Sequence, residues 1–341
     1  MTSLAPATNP KIFAFSISKF GGILRLFGVE GQMKTILTSV LAGSLLATLA
    51  LAQQPSRVWG RRGPILNSPE PQATQTDTPA RHKLMAYVIN TAFQFGAVDL
   101  RSGDFLPIGP GLPSDVGDGL VEGPGRSLLS LGFDGKLIAI DPFTGQTSVV
   151  GDTGLGDCST PTSPCGPSSA LWIGVFKGRY YVTDFANNLY SLDPKTAATK
   201  LIGPTGIPGV TLPPFSQNPD GSINVFGAGL FGLHGRFYAY FGTQAVNLTT
   251  QPPTVTDLVP SEIYEIDPRT GHATAVALAG PTFSAINTIN DTIYAFDALL
   301  GQVDIVDPTT GDATPVSTLD PSAGVIAGAT GATCERFHAE K

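Results

Sequence analysis

The stretch EIYEIDPRTGHATAV, residues 262–276, contains the pattern that decides the fold, because close copies of it recur along the chain. These copies are KLIAIDPFTGQTSVV from Lys136, NLYSLDPKTAATKLI from Asn188 and QVDIVDPTTGDATPV from Gln302. A diverged copy, FGAVDLRSGDFLPI, begins at Phe95. Internal repetition of this kind is typical of proteins that use one supersecondary unit several times. We therefore expect five copies of a single unit.

Each copy centres on a marker aspartate, and the residues around it predict a β-hairpin. Apolar and polar residues alternate before the aspartate, with the period of a strand. The Asp side chain can accept a hydrogen bond from an N–H two residues on, Pro presets φ for the turn, and Gly permits positive φ. Ala197 replaces that glycine in the third copy, so its turn is expected to be strained or of another type. Gly96 and Asp304 interrupt the apolar alternation, and the marker aspartates are Asp99, Asp141, Asp193, Asp267 and Asp307.

The hairpins predict an all-β fold, a β-propeller of five four-stranded blades over residues 84–335. The 40 Gly and 29 Pro, with only 14% charged residues, favour short strands and turns over helices. The first blade has only three good strands at its N-terminal end, and residues 324–330 are predicted to supply the fourth. A C-terminal strand in the N-terminal blade would close the ring and remove exposed sheet edges. The 74 residues between Asp193 and Asp267 leave a sixth blade open, although the prolines of 202–220 favour an insertion.

The repeat resembles those of secreted bacterial β-propellers of the NHL and YVTN type, over roughly residues 84–330. It is more weakly similar to the quinoprotein propeller repeat, which shares an Asp-x-x-Thr-Gly turn. That repeat usually ends with Trp, whereas these positions carry Val150, Leu201, Val276 and Val316 here. The resemblance implies a scaffold and an exported location. Propellers of this sort include binders, lactonases and lyases, so it implies no particular catalytic residues.

Residues 33–52 are expected to be a secretory signal peptide. Lys34 is followed by an apolar run at 36–49 and by Ala50-Leu51-Ala52, a small-x-small cleavage site before Gln53. Residues 1–32 are then an upstream extension outside the folded domain, with Met1 and Met33 both open as the start, and an uncleaved anchor is the alternative. Residues 53–83 are a Pro-rich linker without enough apolar surface to fold, and 336–341 are a tail. We expect a secreted or periplasmic monomer with no membrane span after cleavage.

The folded part is acidic, with 11 Lys and Arg against 24 Asp and Glu from Leu84 onward. This balance argues against a nucleic-acid partner and leaves room for cations. Cys158 and Cys165 lie close together and predict a disulfide in an oxidising compartment, with two unpaired thiols as the alternative. Cys334 is left over and is expected to be a small buried hydrophobe.

Four long connections are expected to crowd one face of the propeller, which we call the long-loop face. The stretches 109–123, 152–168 and 204–222 join successive blades, and 242–260 joins the second and third strands of one blade. Both kinds of connection leave a blade on the same side, whereas the marker turns lie on the opposite, short-turn face. Long loops usually carry function, with neutral variation in length as the alternative.

The candidate site on the long-loop face consists of Asp184, Asp297, Ser169, Asn224 and Ser284. Carboxylate, amide and hydroxyl oxygens are ligands that Ca²⁺ prefers, and Asp184 and Asp297 are the predicted metal ligands. The alternative is that these two aspartates cap turns. His234 and His272 fall on the short-turn face, so the long-loop face lacks the usual general base, and we predict no catalytic residues.

Two functions follow from this pattern. The first is a binding module that recognises a small molecule, glycan or protein through the long-loop face, without catalysis and without a cofactor. The alternative is a Ca²⁺-dependent hydrolase or lyase, lactonase-like or acting on polysaccharides, with a site at the mouth of the central pore. We favour the binding module.

Overall fold

Antiparallel strands joined by tight turns form nearly all the regular structure of the described part of the chain. The computed structural model describes residues 84–113, 116–117, 119–156, 169–209, 218, 220–247, 250, 254–280 and 282–331. The predicted signal peptide, linker and tail lie outside this part, as do Cys158, Cys165 and Cys334. Among the described residues no helix is both long and apolar enough to cross a membrane.

The strands form five four-stranded antiparallel sheets, so the chain is a five-bladed β-propeller, as predicted. Blade 1 contains β1 (Met85–Asn90), β2 (Phe95–Asp99), β3 (Phe105–Pro107) and, from the C-terminus, β20 (Ile326–Gly331). Blade 2 contains β4 (Val121–Glu122), β5 (Leu128–Leu131), β6 (Lys136–Ile140) and β7 (Thr147–Asp152). Blade 3 contains β8 (Ala170–Phe176), β9 (Arg179–Asp184), β10 (Asn188–Leu192) and β11 (Thr199–Pro204). Blade 4 contains β12 (Ile223–Leu233), β13 (Arg236–Asn247), β14 (Thr254–Ile266) and β15 (Ala273–Leu278), and blade 5 contains β16 (Phe283–Ile289), β17 (Thr292–Asp297), β18 (Gln302–Val306) and β19 (Ala313–Thr318).

The C-terminal strand closes the ring. β20 pairs antiparallel with β1, with Tyr87 opposite Thr330 and Val88 opposite Ala329. The inner strands β4, β8, β12, β16 and β20 contact one another in that order, and β20 returns to β4. The prediction that the C-terminal strand completes blade 1 is confirmed, and the ring has five blades, without a sixth between Asp193 and Asp267.

The marker turns have the predicted chemistry. The Asp267 carboxylate accepts a hydrogen bond from Arg269 N at 3.0 Å, and Asp307 accepts one from Thr309 N at 2.8 Å. Ala197 keeps the same turn as the glycines, since its N–H donates to Asp193 O at 2.8 Å, but it does so at a φ of 64°. The turn at Ala197 is therefore strained, and it is not of another type.

The turn glycine is also required by the neighbouring blade. A Cβ at Gly311 would lie 1.8 Å from Leu278 O of blade 4, and one at Gly271 would lie 2.7 Å from Gly203 O of blade 3. Each marker turn therefore lies against the outer strand of the preceding blade. The repeated motif encodes a contact between blades as well as a local turn.

Apolar side chains fill each of the five interfaces between neighbouring blades. At the interface of blades 4 and 5, Phe231, Tyr240 and Phe283 are fully buried, and the rings of Tyr240 and Phe283 lie 5.4 Å apart. Burying one such side chain contributes about 2 kcal/mol. The interfaces hold the blades in fixed positions, which fixes the two faces of the ring.

One predicted loop is wrong. Residues 242–260 were expected to form a long loop between strands of blade 4, but β13 continues to Asn247 and β14 begins at Thr254. These extensions pair with each other, from Thr243 opposite Val259 to Asn247 opposite Thr254. The prolines in the segment concealed the strands, because Pro is tolerated at the edge of a sheet where no N–H is needed.

Candidate functional site

Asp184 lies at the end of β9, as predicted, and organises the turn into β10. Its carboxylate accepts hydrogen bonds from Asn188 N at 2.8 Å, from Asn188 Nδ2 at 2.9 Å and from Tyr190 Oη at 2.9 Å. The side chain is buried, with 1% exposed. Burial and then the hydrogen bond to Asp184 raise the pKa of Tyr190 to about 12, so Tyr190 stays a donor at neutral pH. These contacts match the turn-capping alternative.

Asp297 occupies the corresponding place in blade 5. Its Oδ1 accepts hydrogen bonds from Leu299 N at 2.7 Å and from Leu300 N at 2.8 Å. Ser284 lies beside it and donates to Phe296 O at 3.2 Å. Asp297 and Asp184 belong to blades 5 and 3, with blade 4 between them. No three His, Cys, Asp or Glu side chains within the described ranges lie close enough to share a metal ion, and whether either aspartate binds a cation stays a prediction.

Ser169 and Asn224 also lie where inner strands begin, and both are buried. Ser169 O accepts a hydrogen bond from Phe185 N at 3.0 Å, which places it next to Asp184. Asn224 exchanges hydrogen bonds with the side chain of Asn218, at 2.8 and 3.3 Å. The structure therefore brings Ser169 to Asp184 and Ser284 to Asp297, but Asn224 joins a separate group.

The central channel is almost filled. The free space between the inner strands is about 20 Å³, about enough for one water molecule. Glycines permit this approach, since a Cβ at Gly174 would lie 2.3 Å from Leu230 Cβ. Asn287 spans inner strands and donates to Leu120 O at 3.3 Å and to Ala329 O at 2.8 Å. A space of this size admits no ligand larger than a water molecule.

Blade 4 carries the most prominent projection. β12, β13 and β14 contain 11, 12 and 13 residues, whereas the corresponding strands of blade 3 contain seven, six and five. The additional residues form a three-stranded extension on the long-loop face, which we call the blade 4 arm (residues 223–227, 242–247 and 254–259). Its middle strand is mostly buried, with Thr243, Gln244 and Val246 each less than 10% exposed.

Within the described part of the chain, no strand pairs with the outer edge of the blade 4 arm. β15 pairs with β14 only from Glu262 to Ile266, so residues 254–259 lie beyond its reach. Among the described residues no other strand continues the sheet on this side. Val255 and Leu258 are 42% and 43% exposed. Asp257 is exposed beside them and accepts a hydrogen bond from Gln244 Nε2 at 2.8 Å.

Two features of interest were missed by the sequence reasoning. The edge at Val255 and Leu258 was hidden in a predicted loop, although Thr-Val-Thr-Asp-Leu-Val does contain β-branched residues typical of strands. Asp304, noted only as an exception in the repeat, is 3% exposed. Burial and then the charge of Asp297 raise the pKa of the Asp304 carboxyl. The sequence feature that could have revealed Asp304 is its charge, because other copies carry Tyr190 and Tyr264 at this position.

Comparisons with known proteins identify no family for this chain. No family model matches it, and no curated protein matches it. A solved nidogen/laminin complex is similar at 10% identity and a TM-score of 0.42, covering 74% of this chain and 99% of that chain. The PQQ-bound aldose sugar dehydrogenase of Streptomyces coelicolor is similar at 16% identity and a TM-score of 0.39, covering 65% and 86% of the two chains. A protein of unknown function from Bacteroides thetaiotaomicron is similar at 14% identity and a TM-score of 0.39, covering 69% and 57%. Likenesses this distant carry no argument about function.

Proposed function

We propose that the protein is a binding module that captures an extended peptide segment of a partner protein on the outer edge of the blade 4 arm. The observation that supports this most is that no described strand pairs with the outer edge of β14 at residues 254–259. In an antiparallel strand every second residue directs both its N–H and its C=O to the same side. The edge therefore offers a row of backbone donors and acceptors that a peptide can match by adding a strand.

The side chains along the edge suggest the chemistry of the peptide. Val255 and Leu258 offer exposed apolar contacts, and Asp257 places a negative charge two residues after Val255, on the same side of the strand. An extended segment with alternating β-branched or aromatic residues and a Lys or Arg opposite Asp257 would match both features. Natural proteins usually protect a long exposed edge with Lys or a bulge. The pairing of β14 with β13 shifts register at Leu258, but residues 254–257 pair regularly and contain no Lys.

The export of the protein is also a proposal. It is supported by the signal-peptide pattern at 33–52 and by the NHL- and YVTN-like repeat. N-terminal sequencing of the protein from the medium or periplasm is expected to begin at Gln53, and recovery of an intact 1–52 segment would contradict cleavage. Alkylation of Cys158 and Cys165 only after reduction would support the proposed disulfide.

A peptide-display selection on the immobilised full-length protein tests the proposed function. We expect recovered peptides to share the alternating pattern and to bind with micromolar dissociation constants. Val255→Lys/Leu258→Lys is expected to weaken binding at least tenfold, because charged residues on an edge disfavour strand addition. Leu106→Lys/Leu201→Lys is the matched control, since Leu106 and Leu201 are 56% and 55% exposed on the outer strands of blades 1 and 3.

Three results would contradict the proposal. Equal binding by the arm variant and the control would place recognition elsewhere on the molecule. Failure to recover any patterned peptide would remove the peptide as the ligand. Concentration-dependent dimerisation that disappears in the arm variant would show that the edge pairs with a second copy of the chain instead.

A further inference from the structure

The basic residues of the propeller are concentrated in one groove on the short-turn face. The described part of the chain contains nine Lys and Arg residues. Four of them, Lys177, Arg179, Arg236 and Arg269, line a groove of about 820 Å³ at the junction of blades 3 and 4. An acidic protein that gathers almost half of its basic side chains around one cleft creates a local positive potential.

The groove is built from turns that the propeller holds in fixed positions. Lys177 occupies the turn between β8 and β9, and Arg236 begins β13. Arg269 lies in the marker turn of blade 4, and His272 follows that turn. The floor is apolar and buried, with the rings of Phe176 and Phe237 stacked at 5.3 Å. A rigid floor below a basic rim is suited to holding a ligand by charge instead of by apolar burial.

Two of the four basic side chains have no carboxylate partner in the described structure. Arg236 pairs with Glu265 at 3.2 Å, and Arg269 pairs with Asp267 at 3.3 Å. Lys177 lies 4.9 Å from the centre of the Phe176 ring and forms no ion pair with a described residue, and neither does Arg179. The groove is lined by these four basic side chains and by two carboxylates, Glu265 and Asp267, so the basic groups are in excess. Both ion pairs are solvent-exposed, and exposed pairs contribute little, so a ligand can compete for those arginines as well.

We propose that this groove binds a small anion that carries two or more oxyanion groups, either carboxylates or phosphates. The guanidinium groups of Arg179, Arg236 and Arg269 present planar forks that match both groups, and several of them together favour a multivalent anion over a monovalent one. The site lies on the opposite face from the blade 4 arm. It therefore adds a second ligand class to the proposed function and does not depend on it.

Calorimetric titration of the full-length protein with tripolyphosphate and with citrate tests the proposal. At 50 mM NaCl we expect a dissociation constant in the micromolar range for at least one of the two probes. Arg179→Gln/Arg269→Gln is expected to weaken that binding at least tenfold, and Arg101→Gln/Arg126→Gln, with the same charge change outside the groove, is expected to leave it unchanged. Glu265→Gln is expected to strengthen it, because the competing carboxylate beside Arg236 is removed.

The two probes distinguish the two ligand chemistries. Preference for tripolyphosphate would assign phosphate groups to the ligand, and preference for citrate would assign carboxylates. Equal binding by Arg179→Gln/Arg269→Gln and by the control Arg101→Gln/Arg126→Gln would show that the probes respond to net charge alone. That result would overturn the proposal. Absence of binding to both probes at 50 mM NaCl would overturn it too.

Discussion

Asp304 shows how one substitution within a repeat changes its chemistry. In blade 3 the corresponding Tyr190 donates a hydrogen bond to Asp184 at 2.9 Å, whereas in blade 5 Asp304 faces the charge of Asp297. A protonated carboxyl carries no charge, so it avoids both the cost of burial and the repulsion from Asp297. Burial and Asp297 raise its pKa in the folded state above the unfolded value. The stabilisation from this group is therefore complete below the unfolded pKa and is lost as the pH rises through the folded pKa.

Asp304→Asn is accordingly expected to stabilise the protein at pH 7, because the amide carries no charge that burial and Asp297 disfavour. The amide replaces a charged acceptor with a neutral donor. The gain is expected to vanish near pH 3.5, where the wild-type carboxyl already carries its proton. Urea unfolding at both pH values measures it. Asp307→Asn is the control, and it is expected to destabilise the protein, because hydrogen bonds from Thr309 lower the pKa of Asp307 and favour its charged form. A loss of stability in Asp304→Asn at pH 7 would contradict the account.

Gly311 of a marker turn and Gly154, which follows β7 outside the repeat, allow backbone strain to be separated from the contact between blades. Gly311 has a φ of 77° and no space for a Cβ beside Leu278 O, whereas Gly154 has a φ of 72° with no atom within 4 Å of a Cβ. We expect Gly154→Ala to cost about 1 kcal/mol for backbone strain alone. Gly311→Ala is expected to cost about 3 kcal/mol, because the outer strand of blade 4 must also move. Equal costs in chemical unfolding would show that the contact between blades contributes nothing.

At the scale of elements, the sequence predicts the structures that local residues determine and misses those that depend on long-range pairing. The hairpins of the marker turns were predictable, because Asp, Pro and Gly act within a few residues. The blade 4 arm was not, because residues 254–259 are strand only through pairing with β13 and resemble a loop when taken alone. The groove at Arg179 and Arg236 was also hidden, since it requires knowing which turns of two blades are neighbours. The ring-closing strand was predictable because a blade with three strands demands a fourth.

The ring-closing strand β20 supports a prediction at this scale. It supplies Ile326 and Ala329 to the core between blades 5 and 1 and pairs along β1. A chain that ends at Val325 is expected to lose cooperative unfolding, because blade 1 then lacks its inner strand and exposes two sheet edges. A chain that ends at Gly331 is expected to keep the wild-type urea midpoint. Cooperative unfolding of both chains, followed by circular dichroism, would contradict the role assigned to β20.

At the scale of the whole molecule, the propeller separates two surfaces of different character. The long-loop face carries the blade 4 arm with its free strand edge, and the short-turn face carries the basic groove. The five apolar interfaces fix the blades, so a change on one face is not expected to reach the other. Arg179→Gln/Arg269→Gln is therefore expected to bind the selected peptides as the wild type does, within about twofold, because distant sites behave additively. A tenfold change in peptide affinity in that variant would show that the two faces are coupled.

The free edge of β14 is the central claim, and hydrogen–deuterium exchange of the full-length protein, with and without a selected peptide, tests it most directly. In the free protein we expect alternate amides of residues 254–259 to exchange rapidly, because every second N–H points away from β13. Added peptide is expected to slow those amides and to leave the marker turns unchanged. Slow exchange along the whole of 254–259 before peptide is added would show that the edge is already covered, and protection confined to other residues would show that the peptide binds elsewhere.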